Sequence, residues 1–452
     1  VASLEYSTVA ANTALTASDA AADAATAAAA AAAALIAGSN IVLTTGVDTL
    51  TGTAGVNNFI AINEASVAAG DTLSAADTLV GGDGEDTLSI TNTQSGALAG
   101  LTTSGIQALT IRSTHEDDTV ETLSMASLTG VTSVTLNSFT DGVTVSSAAL
   151  GTTFALNSWN VDDAADDVII GYASATGTTD SASVTTNGSV LQAVQVDAIE
   201  TLSLANSGTT VTSIVTLDAA QATTISVDNA TVSVGTAVGL TVTDMGDNVA
   251  TTINLTGAGS TTFTGVMSTG LTTLSAGTAT GALDLNVSTN ANNLVLTLGS
   301  GDDRLEVGTV GTNLTATDTY AMGDGTDTLV IADETLSTQD ITDIQSVTSV
   351  EVLEFEATGA GIDMAVNANT VSTIDAFKFS GAAPVGTAGS AAAAGTAGVV
   401  SLAITGHSNT DTYAFTGDVT GGVGGAATGT ATTSDGGAGA AAVTITNLVD
   451  GG

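Results

Sequence analysis

The amino-acid sequence predicts an all-β protein: an elongated β-solenoid of the parallel β-helix or β-roll type, with a short Ala-rich α-helix at its N-terminus. The 452-residue chain has 52 Gly, one Pro, no Cys and only 3% aromatic residues, a composition that suits many short strands joined by tight turns. Strand patterns also recur at intervals of roughly 20–25 residues, the length of one rung of a stacked solenoid. An array of β-sandwich domains is the alternative, but it would need longer strands and more aromatic residues in its cores.

Residues 1–38 are predicted to form the N-terminal helix. Alanine, the best helix former, dominates them from residue 10 onward, and Gly38 can end the helix as a C-cap. Asp19 and Asp23 lie within the alanine run, and alanine is too weakly apolar for a lipid environment, so a membrane span is excluded. Because the helix has no clear apolar stripe, we expect a spacer or a cap.

After residue 39 the sequence takes on a strand-like pattern. One six-residue pattern recurs along the chain, with apolar residues at its first, fourth and sixth positions. The alternation over the last three positions is typical of a strand with one buried face. The pattern occurs at Ile106/Leu109/Ile111, Val131/Val134/Leu136, Ile199/Leu202/Leu204, Val350/Leu353/Phe355 and Ile374/Phe377/Phe379.

The chain is strongly acidic, with 46 Asp and Glu residues against three bases, Arg112, Arg304 and Lys378, and a formal net charge of −43. This balance excludes DNA, RNA and anionic membrane surfaces as partners, because almost nothing is available to neutralise phosphate groups. With 43% hydrophobic and 11% charged residues, the chain is nevertheless not a disordered acidic tail. Clustered carboxylates need a proton or a cation between them, so the positions of the acids matter.

Groups for catalysis are scarce. The only two histidines, His115 and His407, lie far apart, so a zinc site or a Ser/His/Asp triad would depend on one lone imidazole. Paired carboxylates for glycoside cleavage are an unspecific signal in so acidic a chain, and lyases acting on acidic sugars need Lys or Arg. We therefore expect no enzymatic activity. The acidic runs at 115–118 and 162–167 are interpreted as solvated loops, with ion binding at a protein–protein interface as the alternative.

Three segments place Asp in a Gly-rich turn directly before a strand. Residues 81–89 match the nine-residue pattern Gly-Gly-x-Gly-x-Asp-x-apolar-x at every fixed position, and residues 299–307 and 322–330 each replace one Gly. This pattern is the calcium-binding β-roll repeat. Its glycines allow the left-handed backbone of a tight turn, and the Asp adds a carboxylate for calcium, which takes six to eight oxygen ligands. An ordinary Asp-Gly turn is the alternative interpretation.

The calcium-binding residues predicted from these turns fall into a strict and a looser set. The looser set has an Asp two residues before an apolar residue without the full glycine frame. The strict set is Gly81, Asp83, Glu85, Asp86, Gly299, Gly301, Asp302, Asp303, Gly323, Asp324, Gly325 and Asp327, and the looser set is Asp48, Asp71 and Asp77.

On these motifs the chain resembles the repeats-in-toxin superfamily, and within it the calcium-dependent S-layer proteins and large adhesins that Gram-negative bacteria export by type I secretion. No N-terminal secretory signal peptide is visible in the sequence. The resemblance implies a secreted protein at the bacterial cell surface, which calcium folds outside the cell and joins to its own copies. The three turns are isolated in the sequence, whereas a β-roll stacks them. The remaining ligands of each ion must therefore come from elsewhere, such as an adjacent rung.

We accordingly divide the chain into the N-terminal helix, a calcium-binding β segment at 39–98, a β-solenoid at 99–380 with further calcium turns at 299–333, and a Gly/Ala-rich β segment at 381–452. The expected function is structural: calcium-dependent self-assembly into an S-layer or an extracellular filament. The alternative is a calcium-stabilised adhesin or biofilm-matrix protein that binds host or glycan surfaces. The expected partners are calcium, copies of the same chain and a cell-surface glycan.

Overall fold

The structure, a computed structural model, is an all-β parallel solenoid. It describes residues 22, 23 and 26, residues 38–357 and residue 374, and the strands beyond residue 357. Gaps in the description fall at 65–69, 99, 115–118, 161–165, 209, 231, 234–235, 238, 247–248 and 334–335. Two parallel sheets of thirteen strands each, here called sheet 1 and sheet 2, run along the solenoid. The predicted fold class is therefore confirmed, apart from the N-terminal helix.

Sheet 1 takes one strand from each successive coil. Its strands, in their spatial order, are Asn40–Val42, Asn58–Asn63, Thr87–Asn92, Ala108–Ser113, Ser133–Asn137, Thr153–Asn157, Ser181–Asn187, Thr201–Asn206, Thr224–Asn229, Thr252–Gly257, Thr273–Ser275, Val295–Thr297 and Thr319–Ala321.

Sheet 2 alternates with sheet 1 between residues 121 and 331. Its strands are Glu121–Ser124, Val143–Ala148, Asp167–Tyr172, Val190–Val196, Thr212–Asp218, Leu240–Asp244, Thr261–Phe263, Leu283–Asn286, Arg304–Gly308, Thr328–Ile331, Val352–Ala357, Ala376–Gly381 and Thr412–Phe415.

Four small sheets complete the described strands. They comprise a parallel sheet of Thr49–Thr51, Thr78–Val80 and Thr102–Ser104; a parallel sheet of Ile362–Asn367, Val400–Thr405 and Val443–Thr446; an antiparallel pair of Val232–Ser233 and Thr236–Ala237; and a parallel pair of Ala388–Ser390 and Gly425–Thr428.

Coil length varies more than the sequence pattern predicts. The register of sheet 1 pairs Asn40 with Asn58, 18 residues later, and Thr153 with Ser183, 30 residues later. The strands themselves stay in register because their inward side chains stack in columns, so the turns absorb the difference in length. The predicted boundary between residues 98 and 99 falls inside this stack, where Thr87–Asn92 pairs with Ala108–Ser113.

The core lies between the sheets and is built from the recurring apolar pattern. In the first example, Ile106, Leu109 and Ile111 are at most 1% exposed, and the residues between them point outward. The only Trp, Trp159, is also buried; it stacks on Phe139 with ring centroids 4.7 Å apart and donates its indole N–H to the Leu136 carbonyl. Such pairing of an apolar ring with a satisfied N–H is typical of a core Trp.

One helix, Thr338–Gln345, interrupts the strands between two strands of sheet 2. Ser337 caps it: its hydroxyl oxygen accepts the Asp340 N–H, and the Asp340 carboxylate accepts the Ser337 N–H. This helix was not predicted, although Ser337 followed three residues later by Asp340 is a recognisable capping pattern. The predicted helix at 1–38 lies outside the described residues, except for Gly38 and for Ala22, Asp23 and Thr26, which have helical backbone; it stays a prediction.

Candidate metal sites at the coil corners

The two C-terminal Gly-Asp turns, 299–307 and 322–330, are separated in sequence but lie on adjacent coils. The strands that follow them pair directly, with Arg304 opposite Thr328 and Leu305 opposite Leu329. One residue earlier, the Asp303 N–H donates to Asp327 Oδ1 at 2.9 Å, so the two turn aspartates are stacked. The turn at 322–330 is thus the adjacent rung that the turn at 299–307 requires, and together they form what is here called the double corner.

Glycine is required where the two turns touch. A Cβ on Gly323 would lie 1.9 Å from the Gly299 carbonyl oxygen, and a Cβ on Gly325 would lie 2.2 Å from the Gly301 carbonyl oxygen. Both residues also have left-handed backbone, with φ of 103° and 140°. The pattern of glycines therefore reflects close stacking of backbones as well as turn geometry.

Each turn aspartate of the double corner has one bonded and one unbonded carboxylate oxygen. Asp303 Oδ1 accepts the Leu283 N–H at 2.8 Å, and Asp327 Oδ1 accepts the Asp303 N–H. The Oδ2 atoms of both are buried and have no hydrogen-bond partner, and the residues are 1% and 0% exposed. A buried carboxylate oxygen without a donor is costly, so a proton or a cation is expected there.

The electrostatics agree with this geometry. Burial raises the pKa of Asp303 to about 7, and the neighbouring Asp327 charge adds to the rise. Burial likewise raises the pKa of Asp327 to about 6; the Asp303 N–H opposes the rise, and the charges of Glu351, Asp302 and Asp324 add to it. A cation between these carboxylates would remove the cost of ionising them.

The turn at 81–89 repeats the arrangement at the other end of the solenoid. Asp86 is fully buried; its Oδ1 accepts the backbone N–H of Asn57 at 2.6 Å and the Asn57 side-chain N–H at 2.9 Å, while its Oδ2 has no partner. The Asp86 N–H donates in turn to Gln107 Oε1 at 2.7 Å. Asp83 and Glu85, also predicted as ligands, are exposed at the tip of the turn.

Two aspartates of the looser set are satisfied by the protein itself. Asp48 accepts the Thr44 N–H on one oxygen and the Thr44 hydroxyl on the other. Asp77 accepts the Asp48 N–H on Oδ1 and the Ser74 N–H on Oδ2. The third, Asp71, accepts the N–H of a residue in its own turn. Calcium binding by these residues stays a prediction, and their contacts differ from those of the three strict turns.

A carboxylate that accepts an N–H from the preceding coil proves to be a general feature of the corners. Besides the predicted residues, Asp318 binds the Leu294 N–H at 2.7 Å, and Asp166 binds the Gly142 N–H at 3.2 Å. Asp166 is 1% exposed, so the interpretation of 162–167 as a solvated loop is wrong at this residue. Sequence reasoning missed Asp318, although Asp-Thr-Tyr at 318–320 has the same form as the looser set.

Glu121 is a second buried acid that sequence reasoning missed. It occupies the first inward position of a sheet 2 strand, in the column continued by Val143. Its Oε1 accepts from the Ser113 hydroxyl at 2.7 Å and from the Asn92 amide at 3.1 Å, while Oε2 has no partner. Burial raises its pKa to about 7, and the charge of Asp141 adds to the rise.

The donor set of the corners suits a hard cation only if backbone and water oxygens take part. Within the described part of the chain, no three His, Cys, Asp or Glu side chains come together as a metal-binding group. At the double corner the side-chain ligands are therefore at most the stacked Asp pair. Calcium accepts carbonyl and water oxygens alongside carboxylates, so these corners fit calcium better than a metal that needs nitrogen or sulfur ligands.

Comparisons with known proteins leave the family open. No family model matches the chain, and no curated protein matches it. Across the residues that the structure describes, no helix is both long and apolar enough to cross a membrane.

Proposed function

We propose that this chain is a structural protein of the bacterial cell surface, which binds calcium at its coil corners and self-assembles into an S-layer or an extracellular filament. One observation carries the proposal. The aspartates at the fixed Asp position of the three turns, Asp86, Asp303 and Asp327, all belong to the buried carboxylates with an oxygen that has no hydrogen-bond partner, a group that also includes Glu121. All three positions that the motif singles out thus have the side-chain geometry expected of a cation ligand.

Calcium would act here as part of the fold. Each corner aspartate links its own coil to the preceding one through a backbone N–H, and in ionised form it leaves a buried negative charge uncompensated. An ion that binds only the folded chain adds its binding free energy to the stability of the solenoid. The chain has no disulfide to serve the same purpose.

The fold supports a structural role. The described solenoid consists of stacked strands in two long parallel sheets, with rows of outward side chains that are not buried. An elongated, repetitive surface suits periodic assembly, since each copy can make the same contacts with its neighbours. Secretion to the cell surface is part of this proposal.

The test is a calcium titration of the purified chain, followed by circular dichroism and by the fluorescence of Trp159, which is buried in the core. We expect cooperative folding in millimolar calcium, and assembly that electron microscopy detects with calcium but not with chelator. Sodium at the same ionic strength should not replace calcium, because screening alone leaves the buried oxygens without a ligand. Folding and assembly that proceed equally in chelator would refute the proposal.

A matched pair of triple variants tests the corners directly. Asn in place of Asp86, Asp303 and Asp327 should abolish the response to calcium. The control places Asn at three exposed aspartates away from the strict turns and removes the same charge; these are Asp197, Asp228 and Asp244. If both variants keep the wild-type calcium response, the corners are not the binding sites.

A further inference from the structure

The charged residues are divided unevenly between the two sheets. The thirteen strands of sheet 1 contain only two, Arg112 and Asp228, whose charges cancel. The strands of sheet 2 contain ten, eight acids and two bases: Glu121, Asp167, Asp218, Asp244, Asp284, Arg304, Glu306, Glu354, Glu356 and Lys378. In a chain of net charge −43, the strands of sheet 1 are therefore a neutral surface beside strongly acidic ones.

One column of residues runs across the outward face of all thirteen strands of sheet 1 without a charge. Its members follow from the strand register, and none is buried. Eight carry a hydroxyl group, three carry an amide and two are alanine. In order they are Asn40, Asn58, Thr87, Ala108, Ser133, Thr153, Ser183, Ser203, Ser226, Asn254, Ser275, Thr297 and Ala321.

Two shorter columns flank it. One contains Ser181, Thr201, Thr224, Thr252, Thr273, Val295 and Thr319, and the other contains Val42, Ile60, Ser89, Thr110, Thr135, Ala155, Thr185, Ala205, Asp228 and Thr256. The three columns together are here called the hydroxyl face. Hydrogen bonds such as Ser89 Oγ to Asn58 Oδ1 at 2.7 Å and Asn254 Nδ2 to Ser226 Oγ at 3.2 Å tie neighbouring coils within it.

We propose that the hydroxyl face is the surface through which two copies of this chain pack against each other, face to face. This inference rests on the proposed self-assembly and names its contact surface. Two copies that approach through sheet 2 or through the turns bring carboxylates together, which costs free energy within a Debye length of about 8 Å. Two hydroxyl faces meet with little of that repulsion, because each contains a single carboxylate, Asp228.

Spacing and chemistry also favour a second copy as the partner. Parallel strands lie about 4.8 Å apart. A second copy of the chain has the same strand spacing, so rows of Thr methyl and hydroxyl groups from the two copies can interdigitate. A two-fold arrangement makes the contact self-complementary and closed. A glycan is the weaker candidate, because no outward position of the three columns holds an aromatic ring on which a sugar could stack.

The available area approaches that of a protein–protein contact. Thirteen strands at about 4.8 Å span roughly 60 Å and five residues across a strand cover about 13 Å, but the flanking columns cross only ten and seven strands, so the face measures roughly 600 Å². A stable protein–protein contact buries about 800 Å² on each partner. Partial overlap of the two faces would give a weaker contact, which an array strengthens by repetition.

The test compares two triple variants of the full chain that add the same charge. One places Asp at three exposed positions of the central column, Ser203, Ser275 and Thr297, and the control places Asp at three exposed positions in sheet 2 strands, Thr122, Ser146 and Thr243. Analytical ultracentrifugation and light scattering in calcium report assembly, and circular dichroism confirms that each variant folds. A neutral bulky variant, Ser275→Tyr, separates the effect of shape from that of charge.

We expect the hydroxyl-face Asp variant to need at least tenfold more protein to assemble than wild type, the control to behave like wild type, and added salt to reduce the difference. If the hydroxyl-face Asp variant and Ser275→Tyr both assemble like wild type in calcium, the face is not the contact, although self-assembly stands. If the wild-type chain folds in calcium but stays monomeric, the proposed self-assembly fails and this inference fails with it. If the variants assemble alike and differ only in their binding of added cell-surface glycan, the partner is a glycan and the inference is overturned.

Discussion

Replacing Asp303 with Asn is expected to change stability in opposite directions with and without calcium. The Asn side chain keeps a carbonyl oxygen for the Leu283 N–H but cannot carry the buried negative charge. Without calcium the variant should be more stable than wild type above neutral pH. With calcium it should be less stable, because one carboxylate ligand of the double corner is lost.

The magnitude without calcium follows from the raised pKa of Asp303. In the folded chain this pKa lies at about 7 instead of the ordinary 3.8. The wild-type fold therefore loses stability as pH rises from about 4 to about 7, since the unfolded chain releases the proton first. A difference of about three pKa units corresponds to roughly 4 kcal/mol, and this sets the ceiling for the gain in the Asn variant at pH 8.

The magnitude with calcium follows from mass action. A ligand present at 100 times its dissociation constant stabilises the folded state by about 2.7 kcal/mol. Wild type should gain about this much at each occupied site, and the variant should lose the gain at the double corner. Urea unfolding at pH 8, followed by Trp159 fluorescence in chelator and in millimolar calcium, measures both effects. Asp228→Asn, at an exposed position, serves as the control for removing one charge.

Two results would refute this reasoning. If Asp303→Asn destabilises the calcium-free chain at pH 8, the carboxylate contributes more through its hydrogen bond than it costs through its burial. If the variant keeps the full calcium response, the ion binds elsewhere. A stability difference between variant and wild type that does not shrink between pH 8 and pH 5 would also contradict the raised pKa.

Three further predictions follow from buried or strained positions. Glu121→Gln should stabilise the fold by up to about 3 kcal/mol above pH 7 and have little effect near pH 4.5, because burial raises the pKa of Glu121 from 4.5 to about 7. Urea unfolding of variant and wild type across this pH range measures the difference. Gly323→Ala should destabilise the chain strongly in thermal unfolding, because its Cβ would lie 1.9 Å from the Gly299 carbonyl oxygen, whereas Gly100→Ala meets no atom within 4 Å and should be nearly neutral. Ala198→Gly should raise stability by about 1 kcal/mol in urea unfolding, because Ala198 has a left-handed φ of 59°; an unchanged midpoint would show that the strain is relieved elsewhere.

The sequence predicts this fold well because its signal is local and repeated. The inward positions of a strand alternate, as at Leu202 and Leu204, and the preceding corner residue, Ile199, is apolar as well. Each coil repeats the pattern, so solenoid stacking follows without knowledge of distant contacts. The same pattern does not say which sheet a strand joins: Leu202 lies in sheet 1, whereas Leu353 lies in sheet 2.

The corners were predicted only in part because half of each corner lies on another coil. The motif identifies Asp86, but its partners Asn57 and Gln107 lie 29 and 21 residues away, at spacings that vary from coil to coil. No local signal in the sequence marks Glu121, since a polar residue at the first position of a strand is ordinarily exposed. Its burial follows from the register with Val143, which only the three-dimensional structure reveals.

The acids at the corners have a geometric origin that does not extend to the outward residues of the strands. In a coil, the residue just before a strand can reach the N–H groups of the preceding coil, and a carboxylate there replaces the hydrogen bonds that the turn leaves open. The outward strand residues have no such task, so in sheet 1 they can be small, hydroxylated and uncharged. If the corners bind calcium, most of the negative charge is neutralised where carboxylates are stacked, and the hydroxyl face needs no cation. Calcium would then control assembly through folding, by building the face, rather than by bridging one copy to the next across it.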